Sequence, residues 1–235
     1  MKLLQIDHID WQSDHLFQLS LTEPIDTFIR PGQYAVMRLP QLGLQSYFAF
    51  SSIPDEPASF LLKDDGSAAA ILSEAKHGDP LELVSVGGEG FDLSGTHSIQ
   101  NGIEVIEPNP TDVVVRFFSM GSGIGPIRSV LRYALEKHWH ERSIELWHSA
   151  YSWADVPYKD DISRWHDNGK VQFIGCYDRS DRYRNAVEEL IFRSPDLSKS
   201  VIFWIGSDRF GEALLDASSK LGIDLKNFRT NHKGI

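Results

Sequence analysis

Short apolar runs separated by turn residues make up the first hundred residues of the chain. Runs of this length at this spacing predict antiparallel strands, packed as a barrel or a sandwich. The pattern gives six strands, over residues 3–11, 16–21, 33–39, 46–52, 60–63 and 81–86. An alanine-rich segment, residues 68–75, predicts one helix within this half because alanine has the highest helix propensity.

The second half of the sequence alternates apolar strands with amphipathic helices. The predicted strands span residues 113–118, 144–148, 171–177 and 201–205, and the predicted helices span 127–137, 162–166, 185–193 and 212–221. Repeated strand–helix units imply a parallel sheet with helices on both faces. Glycines and prolines between the halves, ending in Pro108-Asn109-Pro110, mark a linker. We therefore predict a β-barrel domain over residues 1–107 and an α/β domain over residues 108–235.

A glycine turn follows the first strand of the second half. It reads Gly121-Ser122-Gly123-Ile124-Gly125-Pro126. Three glycines at alternate positions let a ligand approach the backbone closely. Pro126 is expected to be the first helical residue, because its φ angle is already helical. A helix that begins at such a turn directs free N–H groups toward the loop, which suits a phosphate. The turn predicts a nucleotide site, and a turn that is tight for packing alone is the alternative.

Three sharper motifs do not match this turn. The dinucleotide fingerprint G-x-G-x-x-G needs its third glycine one residue later than Gly125, and His148 and Ser149 stand where an acidic residue would follow the next strand. The nucleophile elbow G-x-S-x-G is excluded because Met120 occupies its first glycine position. A Walker loop would need a lysine, which the turn lacks.

Composition narrows the class of protein. The 235 residues are 41% hydrophobic and 24% charged, as in an ordinary globular protein, and no apolar run approaches the roughly 18 residues of a membrane span. The single cysteine, Cys176, excludes an intrachain disulfide and a four-cysteine iron–sulfur site. A net charge of −10 argues against a nucleic-acid partner. Charged residues come too early for a signal peptide, so we expect a cytoplasmic protein.

Five segments, in order, resemble the ferredoxin–NADP reductase-like flavoproteins, in the small form that has no iron–sulfur domain. They are Pro31-Gly32-Gln33-Tyr34, Phe48-Ala49-Phe50-Ser51-Ser52-Ile53-Pro54, Lys63 with Gly66-Ser67-Ala68-Ala69, the turn Gly121 to Pro126, and Ile205-Gly206-Ser207-Asp208. The resemblance covers nearly the whole chain. It implies a six-stranded antiparallel Greek-key barrel followed by a parallel Rossmann-like α/β domain.

The same resemblance implies two cofactors, FAD on the barrel and NAD(P)H on the α/β domain. The residues implied for FAD are Phe48, Ala49, Phe50, Ser51, Ser52, Lys63, Gly66, Ser67, Ala68 and Ala69. Those implied for the nicotinamide cofactor are Gly121, Ser122, Gly123, Ile124, Gly125, Pro126, Gly206, Ser207 and Asp208. The ring of Phe48 is expected to cover one face of the flavin, and a core phenylalanine is the alternative.

Several positions depart from the family pattern. The arginine that pairs with the flavin phosphate falls at Ser46, or at Gln45 after a shift of one residue. Other changes place Phe48 at the tyrosine, Ala49 at the hydroxyl near flavin N5, Ile205 at the cysteine and Asn231-His232-Lys233 at the C-terminal ending. These changes leave binding through the backbone intact and put rapid hydride transfer in question.

The expected function is that of a flavin-dependent NAD(P)H oxidoreductase, which passes hydride to FAD and electrons to a redox protein or small-molecule acceptor. The alternative is a flavin- or nucleotide-binding module for electron transfer or sensing, with little turnover of its own. Ser149, Arg179 and Arg182 are candidates for a 2′-phosphate, so the choice between NADH and NADPH stays open. No metal site is predicted, because nothing has zinc spacing.

Overall fold

The computed structural model describes residues 2–39, 43–65, 68–91, 93, 96–100, 103–107, 113–137, 143–177 and 184–230, and only the backbone of 96–100 and 103–107. The chain divides into two compact units. The first contains Met1–Phe91, Gly121–Lys137 and Ala154–Pro157, and the second contains Asp92–Met120, His138–Trp153 and Tyr158–Ile235.

Six antiparallel strands form the first unit. They are β1 (Lys2–Trp11), β2 (Leu16–Leu21), β3 (Tyr34–Leu39), β4 (Leu44–Ala49), β5 (Ser59–Lys63) and β6 (Pro80–Gly87), with the short helix α1 (Ala68–Leu72) between the last two. Their order in the sheet is β4-β3-β6-β1-β2-β5. A bridge between Phe50 and Phe60 joins the two ends of this sheet and closes the barrel. The predicted six-stranded antiparallel barrel is thereby confirmed.

The core of the barrel follows from the alternation along its strands. In β3 every second residue is buried, because successive side chains of a strand point to opposite faces. The fully buried members of this core include Leu4, Phe17, Leu19, Ala35, Met37, Phe50, Phe60 and Leu81. Aromatic rings fill its centre, where Phe28 stacks on Phe50 with a centroid separation of 3.8 Å.

A hairpin that the sequence analysis did not predict precedes the parallel sheet. Its strands β7 (Thr96–Gln100) and β8 (Ile103–Glu107) pair in antiparallel register and belong to the second unit. The predicted boundary near residue 108 falls among residues 108–112, which lie outside the described residues. That boundary stays a prediction.

Five parallel strands form the sheet of the second unit. They are β9 (Val114–Met120), β10 (Ile144–Ala150), β11 (Gln172–Tyr177), β12 (Ser200–Ile205) and β13 (Phe228–Thr230), in the order β11-β10-β9-β12-β13. All six residues of β12 are buried, as expected for a central strand covered on both faces. The predicted parallel α/β architecture is confirmed, and β13 is the one strand of this sheet that was missed.

Helices accompany these strands as predicted. They are α2 (Ile124–Lys137), α3 (Lys159–Asp167), α4 (Ala186–Arg193) and α5 (Asp208–Lys220). The apolar face predicted for α2 is confirmed, since Ile127, Val130 and Leu131 are fully buried. Although α2 follows β9 in the sequence, it groups with the barrel strands in the first unit. Among the described residues, no helix has both the length and the apolar composition needed to cross a membrane.

Candidate functional site

Strand β4 carries the first of the segments implied for a flavin. Its Phe48 ring is only 6% exposed and packs against Phe60 in the barrel core, with ring centroids 5.9 Å apart. Phe50 is fully buried as well. The expectation that the Phe48 ring covers a flavin was therefore wrong, because the ring points into the core. The alternative, a core phenylalanine, is what the structure shows.

Tyr47 is the aromatic residue that β4 presents to solvent, with 71% of its surface exposed. The partly buried Tyr34 of β3 packs edge-on against it at a centroid distance of 5.6 Å. Residues that pair across two neighbouring strands lie on the same face of the sheet. Since Tyr34 pairs with Ala49 and Val36 pairs with Tyr47, the two tyrosines share one face, which is the outer face of the barrel. The alternation along β3 was the signal for this face in the sequence.

Ser51 and Ser52, which follow β4, are buried and bonded within the protein. The hydroxyl of Ser51 lies 2.8 Å from that of Ser59, and the amide of Ser59 donates to the Ser52 hydroxyl at 3.1 Å. The Ser51 amide donates to the Ser59 carbonyl at 2.8 Å. These side chains hold the barrel closed, and any contact of theirs with a cofactor remains a prediction.

The second flavin segment is described in part. Lys63, the last residue of β5, is exposed, whereas Ala68 and Ala69 lie in the core at the start of α1. Gly66 and Ser67, between them, lie outside the described residues. Lys63 is therefore the member of this segment whose charge is available to an anion.

The glycine turn has an accessible half and a buried half. Residues Gly121–Gly123 form a partly exposed 3-10 helix, and Gly121 has a φ of +52°. Ile124, Gly125 and Pro126 are buried. The helix thus begins at Ile124 rather than at Pro126, because the turn itself is already helical, and proline is tolerated in the first turn of a helix.

Gly206, Ser207 and Asp208 connect β12 to α5. A Cβ on Gly206 would lie 2.6 Å from Cδ1 of Phe210 and 3.4 Å from Cγ of Met120, so this glycine is required for packing. Ser207 is the N-cap of α5, since its hydroxyl accepts from the Phe210 amide at 3.3 Å. Asp208 is exposed at the first position of the helix.

The order of the parallel strands defines where a ligand would bind. Counting from β9, the order is 3-2-1-4-5, so the sequence order reverses between β9 and β12. In open sheets of this type, ligands bind at the carboxyl ends of the strands where the order reverses. Met120 ends β9 at this position, is 40% exposed and is followed directly by the glycine turn.

A buried serine–histidine pair lies at the same edge of the sheet. The hydroxyl of Ser119 is 2.9 Å from Nδ1 of His148, and neither side chain reaches solvent. Nε2 of His148 has no hydrogen-bond partner among the described residues. Burial lowers the pKa of His148 to about 3, so the imidazole is neutral at physiological pH. No sequence pattern indicates this pair, because Ser119 and His148 are brought together only by the register of β9 and β10.

Of the three candidates for a 2′-phosphate, the structure describes one, Ser149. The Ser149 hydroxyl accepts from the Ala186 amide at 2.9 Å and so caps α4. Asn185 also caps this helix, through bonds of 3.0 Å from the amides of Val187 and Glu188. Arg179 and Arg182 lie outside the described residues.

Comparison with solved structures finds the same two-part architecture in reductases. A cytochrome P450 reductase from Amycolatopsis matches with a TM-score of 0.76 and 16% identity over 98% of this chain and 69% of that chain. A ferredoxin–NADP+ reductase from Neisseria gonorrhoeae, with bound FAD and NADP, matches with a TM-score of 0.73 and 13% identity over 94% of this chain and 91% of that chain.

The flavohaem-like FAD/NAD-binding domain of nitric oxide dioxygenase from Vibrio cholerae O1 biovar El Tor is a third neighbour. It has a TM-score of 0.75 and 14% identity over 97% of both chains. No protein-family model and no curated protein matches the sequence. The chain has the fold of the ferredoxin–NADP reductase-like FAD/NAD-binding domains, as its sequence segments indicated.

Proposed function

We propose that the protein is a flavin-dependent oxidoreductase that uses FAD and a nicotinamide cofactor. The observation that carries this proposal is a glycine turn placed directly after β9, where the strand order of a 3-2-1-4-5 sheet reverses, in a chain that begins with a barrel. In such sheets this position binds nucleotides. The fold shared with a ferredoxin–NADP+ reductase that has bound FAD and NADP supports the same assignment.

The outer face of the barrel is the surface that we propose for the ring system of a flavin. Strand β4 pairs with β3 along one edge, and on its other edge the bridge described is that of Phe50 with Phe60. Residues Leu44–Ala49 can therefore offer backbone groups to a polar ring edge, as the unpaired edge of a strand does. The neighbouring rings of Tyr47 and Tyr34 provide an aromatic surface for a flat ligand.

The charges available to a diphosphate differ from those of the family. Gln45 is exposed and Ser46 is partly exposed, and neither carries the positive charge that the resemblance would place there. A charge-assisted bond from a guanidinium is about twice as strong as a neutral one. We therefore assign the phosphate contact to Lys63 and expect weaker binding of the diphosphate than an arginine would give.

The nicotinamide cofactor is assigned to the accessible half of the glycine turn. Gly121–Gly123 would approach its pyrophosphate through the backbone. When both groups are bound, they would supply hydride transfer from the nicotinamide to the flavin, with the electrons then passed to an acceptor. The residues of the chain orient the groups and exclude water.

The alternative function is a flavin- or nucleotide-binding module with little turnover. Ile205, at the position of the family's cysteine, is an apolar residue that is only 8% exposed, and Ala49 lacks the usual hydroxyl. Neither side chain can donate a hydrogen bond to a reacting ring. A module of this kind would bind both cofactors and serve electron transfer or sensing.

A spectroscopic experiment separates the two functions. The purified protein should be yellow, should release FAD rather than FMN on heating, and should lose its flavin absorbance within about one second of mixing with excess NADH or NADPH, since typical turnover numbers exceed about 1 s⁻¹. Bleaching that takes minutes would support the module. Colourless protein that takes up no added flavin would contradict both functions.

The substitution Gly123→Val tests the assignment of the turn. A β-branched side chain at this partly exposed position would block the approach of a pyrophosphate to the backbone. We expect nucleotide affinity to fall about 100-fold, equivalent to about 2.7 kcal/mol, with flavin affinity unchanged. Isothermal titration with NADH and NADPH, with flavin retention measured by absorbance, checks this result. An equal loss of both ligands would contradict the division into two sites.

A further inference from the structure

Helix α2 is attached to the barrel by hydrogen bonds to the segment that follows β4. Nη1 of Arg128 donates to the carbonyl of Ser51 at 2.9 Å, and the hydroxyl of Ser129 donates to the carbonyl of Ser52 at 2.5 Å. Ser51, Ser52 and Ser129 are all buried. These bonds satisfy two buried backbone acceptors, and groups of this kind are costly to leave unpaired.

An ion pair extends the attachment by one further turn. Arg132 of α2 donates from both terminal nitrogens to Glu56, at 2.7 and 2.6 Å. The side chains are 22% and 37% exposed, so this fork is partly shielded from water. Bidentate guanidinium–carboxylate pairs fix orientation as well as distance.

The first turn of α2 touches the barrel without an intervening side chain. A Cβ on Gly125 would lie 2.8 Å from Cβ of Leu61 in β5 and 3.5 Å from Cβ of Ser51. Residue 125 therefore must be glycine for α2 to approach this closely. The third glycine of the turn serves packing, which agrees with its burial, and its position sets how near the turn lies to β5.

We infer that Arg128, Ser129 and Arg132 are positioning residues that fix the glycine turn relative to the flavin-carrying strands. This inference rests on the proposed function, because it takes the ligands of the turn and of β4 from there. All residues concerned belong to the first unit, so the holder of the pyrophosphate and the holder of the flavin are parts of one compact body. Their separation is set by the bonds from α2 to Ser51, Ser52 and Glu56.

The expected effect concerns the rate of hydride transfer more than binding. Reacting atoms must be aligned closely, and a misplacement of about 1 Å costs about 100-fold in rate. Ser129→Ala removes one anchor, so we expect the limiting rate of flavin reduction to fall about tenfold or more. The KM for the nicotinamide cofactor and the dissociation constant of FAD should each change less than about threefold, because no ligand contact is lost.

Stopped-flow reduction of the FAD-loaded protein is the test, with three comparisons. Ser219→Ala is the matched control, since that serine donates to the Leu215 carbonyl at 2.8 Å within α5 and should leave the rate unchanged. The conservative variant Ser129→Thr keeps the hydroxyl and should retain most of the wild-type rate of flavin reduction. The last comparison uses Glu56→Gln, Arg132→Gln and the double variant. Because the two side chains act as one pair, the double variant should reduce flavin no more slowly than the slower single variant.

A readout without cofactors separates failure of this inference from failure of the proposed function. Hydrogen exchange of the backbone at residues 50–56 should accelerate about tenfold or more in Ser129→Ala and remain unchanged in Ser219→Ala. If the wild-type protein reduces no flavin, the proposed function fails. If hydrogen exchange is also unaltered in Ser129→Ala, the attachment of α2 to the barrel is overturned too. An unchanged reduction rate in Ser129→Ala, or a rate that falls only in proportion to FAD binding, would overturn the positioning role.

Discussion

Acidification from pH 6.5 to pH 3 should remove about 4 kcal/mol of stability through a single side chain, the buried His148. Burial lowers the pKa of this imidazole from 6.5 to about 3, so the folded protein resists protonation while the unfolded chain does not. The contribution of His148 to the free energy of unfolding is therefore complete above pH 6.5 and is lost as the pH falls toward 3. At pH 5 the loss amounts to about 2 kcal/mol.

Urea unfolding between pH 7 and pH 4, followed by fluorescence, measures this dependence. The matched variant combines His148→Phe with Ser119→Ala, which removes both partners of the hydrogen bond and leaves no unpaired group. We expect the double variant to lose about 1.4 kcal/mol less per pH unit below 6.5 than the wild type. Equal slopes for the two proteins would show that His148 is already protonated or accessible to water in the fold.

Replacing Arg116 with methionine should destabilise the protein by about 3–5 kcal/mol, because the change leaves a largely buried carboxylate without its partner. Arg116 is 5% exposed, and its Nε donates to Glu145 at 2.8 Å. A second nitrogen donates to the hydroxyl of Ser200. Glu145 accepts from the Trp147 indole as well, at 2.8 Å, so it remains inside the sheet when Arg116 is lost.

Thermal unfolding should detect this change as a fall in Tm of about 10 °C. Arg164→Met is the control, since Arg164 pairs with Asp161 at an exposed position of α3 and should cost less than about 1 kcal/mol. Adding Glu145→Leu to Arg116→Met should recover most of the loss, because no buried charge then remains. If Arg116→Met proved as stable as the control Arg164→Met, this result would contradict a large contribution of the Arg116–Glu145 pair to stability.

Much of the fold could be predicted because local patterns and the global architecture agree. Strand β2 begins and ends where the alternation placed it, and α4 begins after Asn185, whose side chain caps the helix. The buried strand β12 reads as a nearly continuous apolar run, which is how a parallel sheet covered on both faces is encoded, and β9 reads as such a run interrupted by Arg116. These elements depend on residues that are close in sequence.

The missed hairpin had a signal that the surrounding glycines obscured. Asn101-Gly102 stands between the strands β7 and β8, and this dipeptide is the strongest short-range indication of a two-residue hairpin. The three-residue strand β13 had no such signal, since so short a run carries no periodicity. Its pairing with β12 is a tertiary event.

The error at Phe48 has a different cause. Side chains of a strand alternate between its two faces, so a shift of one residue exchanges all inward and outward positions. Strand β4 has aromatic residues on both faces, Tyr47 outside and Phe48 inside, and the alternation of hydrophobicity is therefore ambiguous.

The anchors of α2 were beyond the reach of sequence patterns. Arg128 and Ser129 each bond a carbonyl that is 77 positions earlier in the chain, and no local propensity records such a contact. The tight approach of Gly125 to Leu61 had a visible sign in the third glycine of the turn. Its cause is packing rather than ligand binding, a tertiary contact that no local pattern records.

The return of the chain to its first unit has a consequence for biosynthesis. Ribosomes deliver the strands of the barrel first, but its piece Gly121–Lys137 emerges only after β9, and its piece Ala154–Pro157 only after β10. At translation speeds of about 5–20 residues per second, the nascent barrel waits on the order of 2–9 s for α2, which is complete 46 residues after Phe91. During that interval the carbonyls of Ser51 and Ser52 and the side of Leu61 that α2 later covers are open to chaperones and to aggregation.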